Sequence, residues 1–475
     1  MKKTCFIFTY LLCLPLMLIA QKQKEKIIKS LESKFDQYHD IAKELWENPE
    51  LGYLEENSAA LLSSTLEQEG FTIARGVAAI PTAFTATYGN GKPVLGILGE
   101  YDALPGMSQV AAPKPKVRIA GAPGHACGHH LFGTGSMAAA IAIKNYLESS
   151  GNTGTIRFYG TPAEESGSGK VYMVRAGLFD DVDAVISWHP GDANRANPGT
   201  SLANISGKFF FKGVSAHAAV APQRGRSALD GVEAMNDMVN MLREHTTEST
   251  RIHYVITKGG AAPNIVPAEA EVYYQARHED REELRSIWER IVKAAEGAAM
   301  GTETTVSYEI LGGTYNQLPN EALSNILHQN LELVGGVNYT EQEKEFALQL
   351  QETMGDKKQP LDNARVVQPM AMRHGKHSAD TGDVSWTVPT AGIGAATWVP
   401  GTPPHSWQAV AAGGTSIGYK GMMVAAKTLA LAAIDIYQNP ALLDPVKEEF
   451  RSRRGEDFQY QALLGDREPA LDYRK

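Results

Sequence analysis

The pattern of apolar and polar positions divides most of the chain into helices and strands of an α/β protein. Residues 25–48 carry apolar side chains at helical spacing, which predicts an amphipathic helix. Residues 93–99 form a nearly continuous apolar run, which is typical of a strand covered on both faces. Comparable patterns predict strands at 70–73, 83–88, 154–159 and 183–187, and helices at 56–69, 133–147, 320–334, 341–353 and 416–437.

The pattern changes between about 203 and 313, where shorter elements follow one another in βαββαβ order. The predicted elements are a strand at 209–213, a helix at 227–245, strands at 252–257 and 271–276, a helix at 281–300 and a strand at 304–310. This order predicts a small ferredoxin-like α+β domain. We therefore expect an α/β mixed-sheet catalytic domain formed by 21–202 and 315–475, with the α+β domain inserted at 203–314.

The first 20 residues have the pattern of a secretory signal peptide. Lys2 and Lys3 precede an apolar run from Phe6 to Ala20, after which the sequence turns sharply polar. The run is short for a membrane span, and it contains Pro15. We expect cleavage after Ala20, export to a periplasmic or extracellular location, and no membrane span in the mature protein.

Composition and charge narrow the classes of function. A hydrophobic content of 43% and a charged content of 21% fit a soluble globular enzyme. The formal net charge of −9 leaves no basic surplus with which to bind nucleic acid. Cys127 is the only one of the three cysteines outside the first 20 residues, so the exported chain could form no internal disulfide. Metal ligation would protect this thiol in an oxidising compartment, and a buried inert cysteine is the alternative.

Potential metal ligands cluster at the ends of predicted elements. Cys127 and His129 form a C-x-H pair before a helix, the pair Glu164-Glu165 follows one strand, and His189 follows the next. Thiolate, imidazole and carboxylate groups together suit a divalent transition metal that activates water. Neighbouring glutamates on an extended chain point in opposite directions, so one can bind metal while the other faces the water. A solvated charge run is the alternative for the glutamates.

Several segments together resemble the metal-dependent amidohydrolase and metallopeptidase family that contains aminoacylases, glutamate carboxypeptidases and auxin-conjugate hydrolases. The likeness covers nearly all of the mature chain. The segments that carry it are 99–106, 124–130, 162–169, 173–183, 382–386 and 403–408. The resemblance implies two divalent metal ions per subunit, Zn²⁺ or Mn²⁺, and a thiolate favours zinc. It implies that the metal ligands are Cys127, His129, Glu165, His189 and His405.

The same resemblance implies the remaining roles. Glu164 would be the general base, and the inserted domain would be a lid and dimerisation domain whose His217 reaches a partner subunit's site and acts in catalysis. Asn264 would bind substrate beside it. Many relatives carry a ligating histidine where this chain has Glu100, so Asp102 is expected to orient a ligand rather than to bind metal directly. Asp383 is expected to have a similar supporting role.

The expected activity is hydrolysis of the amide bond of an N-acyl or N-aroyl amino acid by metal-activated water. An exported dipeptidase or aminoacylase of the same family is the alternative, and a non-catalytic partner subunit is a further one. The expected partners are a small-molecule amide or dipeptide and a second subunit, in a homodimer or a heteromer. Arg277 and Arg373 are candidate anchors for a substrate carboxylate, whereas His125 and His130 are expected to support the ligands.

Overall fold

The computed structural model describes residues 22–473, and the predicted signal peptide at 1–20 lies outside that part of the chain. The described strands are β1 Thr72–Arg75, β2 Phe84–Asn90, β3 Val94–Gly99, β4 Gly154–Gly160, β5 Ala184–Gly191, β6 Gly199–Thr200, β7 Ala203–Lys212, β8 Arg251–Lys258, β9 Glu269–His278, β10 Thr305–Thr314, β11 Arg373–His374 and β12 Thr390–Ala396. The helices are α1 22–33, α2 Phe35–Glu47, α3 Glu56–Gln68, α4 His129–Ser150, α5 Gly169–Arg175, α6 Ala228–Leu242, α7 Arg281–Gly301, α8 Glu321–Val334, α9 Glu341–Gln351, α10 Thr381–Thr387, α11 Trp407–Gly413, α12 Ser416–Gln438 and α13 Leu443–Arg454.

A six-stranded mixed sheet forms the larger domain, with strand order β1-β2-β4-β3-β5-β12. The first two pairings are antiparallel, and β4, β3, β5 and β12 run parallel to one another. All six residues of β3 are buried, as its apolar run predicts. The parallel strands therefore end at one edge of the sheet, where side chains from separate segments can meet.

Two long small-residue helices, α4 and α12, pack against each other and against the parallel strands. Both helices are buried along most of their length. The segment Ser416–Gln438 is long and apolar enough to cross a membrane, but 89% of its apolar window is buried inside the fold. This burial favours a core helix of the larger domain.

The inserted domain is a four-stranded antiparallel sheet with strand order β10-β7-β9-β8. Two helices, α6 and α7, pack together and against this sheet, and they complete the βαββαβ order that the sequence predicts. The first strand, β7, begins at Ala203, six residues before the predicted strand. The fold class is confirmed as a mixed α/β sheet with a ferredoxin-like α+β insertion.

Some elements were not predicted from the sequence pattern. The strand β12 pairs with β5 at the edge of the main sheet, although its sequence, TAGIGAA, consists mostly of small residues. The short helices α5, α10 and α11 and the C-terminal helix α13 were also missed. Both α5 and α11 begin within segments that carry the family resemblance, at 162–169 and 403–408.

Gly133 brings α4 close to the end of β3. A Cβ atom on this glycine would lie 2.7 Å from the backbone oxygen of Glu100 and 3.0 Å from Leu62 Cδ1. We expect Gly133→Ala to destabilise the fold by about 1–3 kcal/mol, because a backbone atom must move to admit the methyl group. Urea unfolding measures the change. Gly301→Ala is the control, since no atom lies within 4 Å of that Cβ position, and an equal loss in both variants would contradict the prediction.

Candidate metal centre

The carboxyl ends of three neighbouring parallel strands deliver the acidic and histidine side chains of the site. Glu100 and Asp102 follow β3, the pair Glu164 and Glu165 follows β4, and His189 lies near the end of β5. Because these strands are adjacent and parallel, their ends meet at one edge of the sheet. The sheet therefore brings together residues that lie far apart in the sequence.

Cys127 and His129 reach the same edge from the start of α4. Gly128 between them has φ 81°, and a Cβ atom there would lie 2.7 Å from Pro190 Cβ. Glycine adopts this left-handed conformation without steric cost and permits the close approach to the β5 segment. The turn at Gly128 thereby places a buried thiol and a buried imidazole side by side.

The loop after β4 is held in an unusual backbone conformation. Ala163, Ser166 and Ser168 all have positive φ values, at 56°, 80° and 61°. Such strain persists where surrounding contacts enforce it. Glu55 supplies one of these contacts: its carboxylate accepts hydrogen bonds from Ala163 N at 2.7 Å and Thr82 Oγ1 at 3.0 Å. No local pattern in the sequence indicates this supporting residue.

The predicted ligands fall into two groups of three that share Cys127. One group is Cys127, His129 and His189, and in the other Cys127 stands with Glu165 and His405; within each, the ligand atoms lie within 4.8 Å of one another. Cys127 Sγ is 3.5 Å from His189 Nε2, and His405 Nε2 is 3.1 Å from Glu165 Oε1. Cys127 would therefore contribute to both groups, and each group would offer a divalent ion two further ligands.

Asp102 orients ligands of both groups. Its Oδ1 accepts a hydrogen bond from His129 Nδ1 at 2.8 Å, and its Oδ2 accepts one from the backbone N–H of Glu165 at 2.8 Å. His189 Nδ1 likewise donates to the carbonyl oxygen of Pro190 at 2.7 Å. Both histidines thus use Nδ1 for support, which leaves Nε2 for a metal ion.

Buried polar atoms that lack hydrogen bonds in this cluster fit a bound cation. Among residues 22–473, Glu100 Oε2 and His129 Nε2 are buried and make no hydrogen bond, although they lie 3.0 Å apart. Buried polar atoms without hydrogen bonds are rare in native proteins. Sulfur, nitrogen and oxygen donors together suit zinc, and also manganese or cobalt where carboxylates dominate. The donor set therefore fits two divalent ions.

Burial and neighbouring charge shift the acid–base groups of the centre. Burial raises the pKa of the Cys127 thiol, and a bound cation would favour its thiolate form. Desolvation, followed by the charges of Glu100 and Glu165, raises the pKa of Glu164 well above its ordinary value. Burial also acts to raise the pKa of Glu100, but Lys170 and His129 outweigh it and lower that pKa.

His125 and His130 lie beside the ligands and donate to backbone carbonyls. His125 Nε2 donates to Leu45 O and His130 Nε2 donates to Gly413 O, both at 3.1 Å. Burial lowers the pKa of His125 to about 3 and that of His130 well below its ordinary value. Both rings are therefore neutral and pack the loop that carries Cys127.

Asp383 contacts residues outside the ligand set. It accepts hydrogen bonds from Tyr315 N at 2.9 Å and from Tyr460 Oη at 2.8 Å. Its partners therefore join the C-terminal segment to the residues that follow β10. The nearby carboxylate of Asp380 pairs with Lys170, which also pairs with Glu100. Neither Asp380 nor Lys170 was singled out from the sequence.

The inserted domain carries His217 and Asn264 on its exposed surface. Ala218 N donates to Asn264 O at 3.0 Å, so the two segments lie together. His217 Nδ1 accepts hydrogen bonds from the backbone N–H groups of Ala219 and Val220, both at 3.2 Å. This arrangement leaves His217 Nε2 directed away from its own turn.

The two candidate carboxylate anchors lie on different elements of the structure. Arg277 on β9 donates to Gln275 Oε1 at 3.2 Å. Arg373 on β11 is exposed and pairs through its backbone register with Gly199 on β6.

The fold and the donor set define a metal-dependent hydrolase that acts on carbon–nitrogen bonds. A family model described as a peptidase dimerisation domain matches residues 203–303. The chain is 43% identical over 448 residues to the B subunit of p-aminobenzoyl-glutamate hydrolase from Escherichia coli (strain K12), covering 88% of this chain and 93% of that protein. It is 28% identical over 450 residues to the Xaa-Arg dipeptidase of Mus musculus, covering 91% and 93% of the two chains.

Among solved structures, a dinuclear metal-binding peptidase of the M20 family from Bacillus subtilis has the same fold. Its TM-score is 0.57 at 17% identity, and the match covers 86% of this chain and 99% of that one. The chain belongs to the M20 family of peptidases and amidohydrolases. The family resemblance that the motifs indicate is confirmed.

We expect Asp102→Asn to weaken metal binding by about 10–100-fold. The carboxylate accepts from His129 with one oxygen and from Glu165 with the other, whereas an amide has only one acceptor oxygen. Titration of the chelator-treated protein with Zn²⁺ against a competing dye measures this change. Asp183→Asn is a control, since that carboxylate binds Lys447 and Val94 N instead. Equal Zn²⁺ affinity in Asp102→Asn and the unmodified protein would show that Asp102 does not orient the ligands.

Proposed function

We propose that the mature chain is an exported two-metal amidohydrolase that cleaves the amide bond of a p-aminobenzoyl-glutamate-like N-aroyl or N-acyl amino acid. The observation that carries the proposal is the pair of ligand groups that share Cys127, with Glu164 beside them. The 43% identity to one subunit of a p-aminobenzoyl-glutamate hydrolase supports this substrate class. When bound, two zinc or manganese ions would polarise the amide carbonyl and supply hydroxide at neutral pH.

The side chains have distinct roles in this proposal. Cys127, His129 and His189 would hold one ion, while Cys127, Glu165 and His405 would hold the other. Glu164 belongs to a third group, with Glu100 and His129, rather than to the group that contains Glu165. It takes a proton from the attacking water and delivers it to the leaving nitrogen. Its raised pKa suits a group that must accept a proton and then return it.

A dipeptidase activity is the second candidate, because the Mus musculus relative is named an Xaa-Arg dipeptidase and aligns over 91% of this chain. Both candidates require the same attack on an amide carbonyl, and they differ in the groups on its two sides. A non-catalytic partner subunit is less well supported, because every predicted ligand and the predicted base lie together in the centre.

We further propose that the inserted domain forms a symmetric dimer. The edge strand β8 has one buried residue, and Tyr254, Val255 and Ile256 expose apolar surface on it. An exposed apolar edge strand favours pairing with another chain. The match to a peptidase dimerisation domain supports this assembly. Two of the relatives are named as different subunits of one hydrolase, which keeps a heteromer as the alternative.

The signal-like segment at 1–20 supports export to the periplasm or the cell exterior. An exported enzyme would meet peptides and acylated amino acids outside the cytoplasm. Its activity would therefore release amino acids from such amides before their uptake.

We expect Glu164→Gln to lower kcat by about 10²–10⁴-fold, because the amide can neither accept nor return the proton. Hydrolysis of p-aminobenzoyl-glutamate and of a dipeptide panel measures kcat, and elemental analysis checks that both ions stay bound. Glu67→Gln repeats the chemical change at an exposed residue that pairs with Arg75. Full turnover by Glu164→Gln would exclude it as the base, and inactivity of the unmodified protein on every amide would remove the proposed function.

If His217 acts across a symmetric dimer, inactive variants should complement each other. Glu164→Gln and His217→Ala are each expected to be nearly inactive alone. After subunit exchange in an equimolar mixture, about a quarter of the sites should combine an intact Glu164 with the partner subunit's His217. Activity measured before and after exchange tests this, and failure to gain any activity despite proven exchange would place His217 outside the partner's site.

A further inference from the structure

A buried group of three charged side chains lies against the centre without belonging to the two ligand groups. Lys170 Nζ is 2.6 Å from Glu100 Oε1 and 2.7 Å from Asp380 Oδ1. The side chains of Lys170, Glu100 and Asp380 are 0%, 3% and 1% exposed. Burying three charges is costly unless each one is paired, so the two ion pairs offset part of the desolvation cost.

Lys170 pairs with one oxygen of Glu100 and leaves the other without a hydrogen bond. Asp380 is engaged twice by Lys170, since its Oδ2 also accepts from Lys170 N at 2.9 Å. Glu100 Oε1 faces the ammonium, and Glu100 Oε2 makes no hydrogen bond among residues 22–473. The ion pair at Oε1 therefore orients Oε2 towards the centre, where it lies 3.0 Å from His129 Nε2.

The same His129 nitrogen is the one available to a metal ion. His129 Nδ1 is bound to Asp102, and Glu100, His129 and Glu164 form a group whose ligand atoms lie within 4.8 Å of one another. Two ligand atoms that each stand about 2.0–2.2 Å from one ion are about 3.0–3.5 Å apart when they are neighbours in its shell, depending on the coordination angle. The separation of Glu100 Oε2 and His129 Nε2 matches that of adjacent ligands.

We propose that Glu100 is an additional carboxylate ligand of the ion that His129 binds, and that Lys170 is the positioning residue that presents it. The ion on the His129 side would then have a carboxylate oxygen besides its thiolate and imidazole ligands. Lys170 joins three chain segments, after β3, at α5 and before α10, so it sets the position of this ligand from outside the metal shell. The inference rests on the proposed two-metal function.

Metal binding tests the inference without reference to turnover. The unmodified protein, Glu100→Gln, Glu100→Asp and Lys170→Met are stripped with a chelator and titrated with Zn²⁺ against a competing dye. Asp383→Asn is the matched control, because that buried carboxylate binds Tyr315 and Tyr460 rather than a ligand. Elemental analysis gives the number of ions, and thermal unfolding shows that each variant is folded.

We expect the unmodified protein and Asp383→Asn to bind two ions each, with the same affinities in both proteins. Glu100→Gln should lose more than about tenfold in affinity for one ion and keep the other, because a single ligand is removed. Glu100→Asp keeps the charge but is one methylene shorter, so it should show the same loss. The visible spectrum of the Co²⁺ form should change in Glu100→Gln and Lys170→Met alike, since it reports the ligand set.

The outcomes separate this inference from the proposed function. Two ions bound with unchanged affinity and unchanged Co²⁺ spectra in both Glu100 variants would show that Glu100 is not a ligand, and the two-metal function would stand. A change in Glu100→Gln with an unchanged spectrum in Lys170→Met would remove the positioning role of Lys170. Absence of tight metal binding in the unmodified protein would overturn the proposed function and this inference together.

Discussion

The carboxylate of Asp102 is the contact on which the geometry of the centre depends. It is buried at the end of β3, and its two oxygens hold the His129 ring and the backbone of Glu165. These two residues belong to different ligand groups and to different chain segments. Because a buried carboxylate is stable only when it is hydrogen-bonded, the bonds that satisfy Asp102 also fix both ligands. The position of the buried strand thereby sets the spacing of the two groups.

The charge balance of the centre explains why it favours cations. The carboxylates of Glu100, Glu164 and Asp380 interact with the buried ammonium of Lys170, and Glu165 adds a further negative charge near Glu164. Like charges at such distances raise one another's pKa, as they do for Glu164. One ammonium cannot balance this set, and a divalent ion in each ligand group would lower its electrostatic energy. The fold therefore holds an arrangement that is unfavourable alone and favourable with metal.

Local sequence patterns were sufficient for the buried strands and for several of the side chains that the fold brings together, but not for long-range contacts. β3 and β5 are apolar runs, and Cys127 and the glutamate pair stand directly beside predicted elements. β12 was missed because small residues have low strand propensity, so its place depends on pairing with β5. Lys170 was missed because its partner Asp380 lies 210 residues away. Lys170 follows a glycine-rich segment at the start of α5, and no local pattern there indicates burial of its side chain.

Position 100 shows how one ligand change alters its surroundings. A neutral histidine there, as the wider family is expected to carry, would need no positive partner in the core. A carboxylate at the same place adds a negative charge beside Glu164, and its burial is costly without a cation. Lys170 supplies that cation at 2.6 Å, and the carboxylate of Asp380 pairs with the same ammonium. Glu100, Lys170 and Asp380 are therefore best understood as one unit, because removing the ammonium would leave two buried carboxylates without their cation.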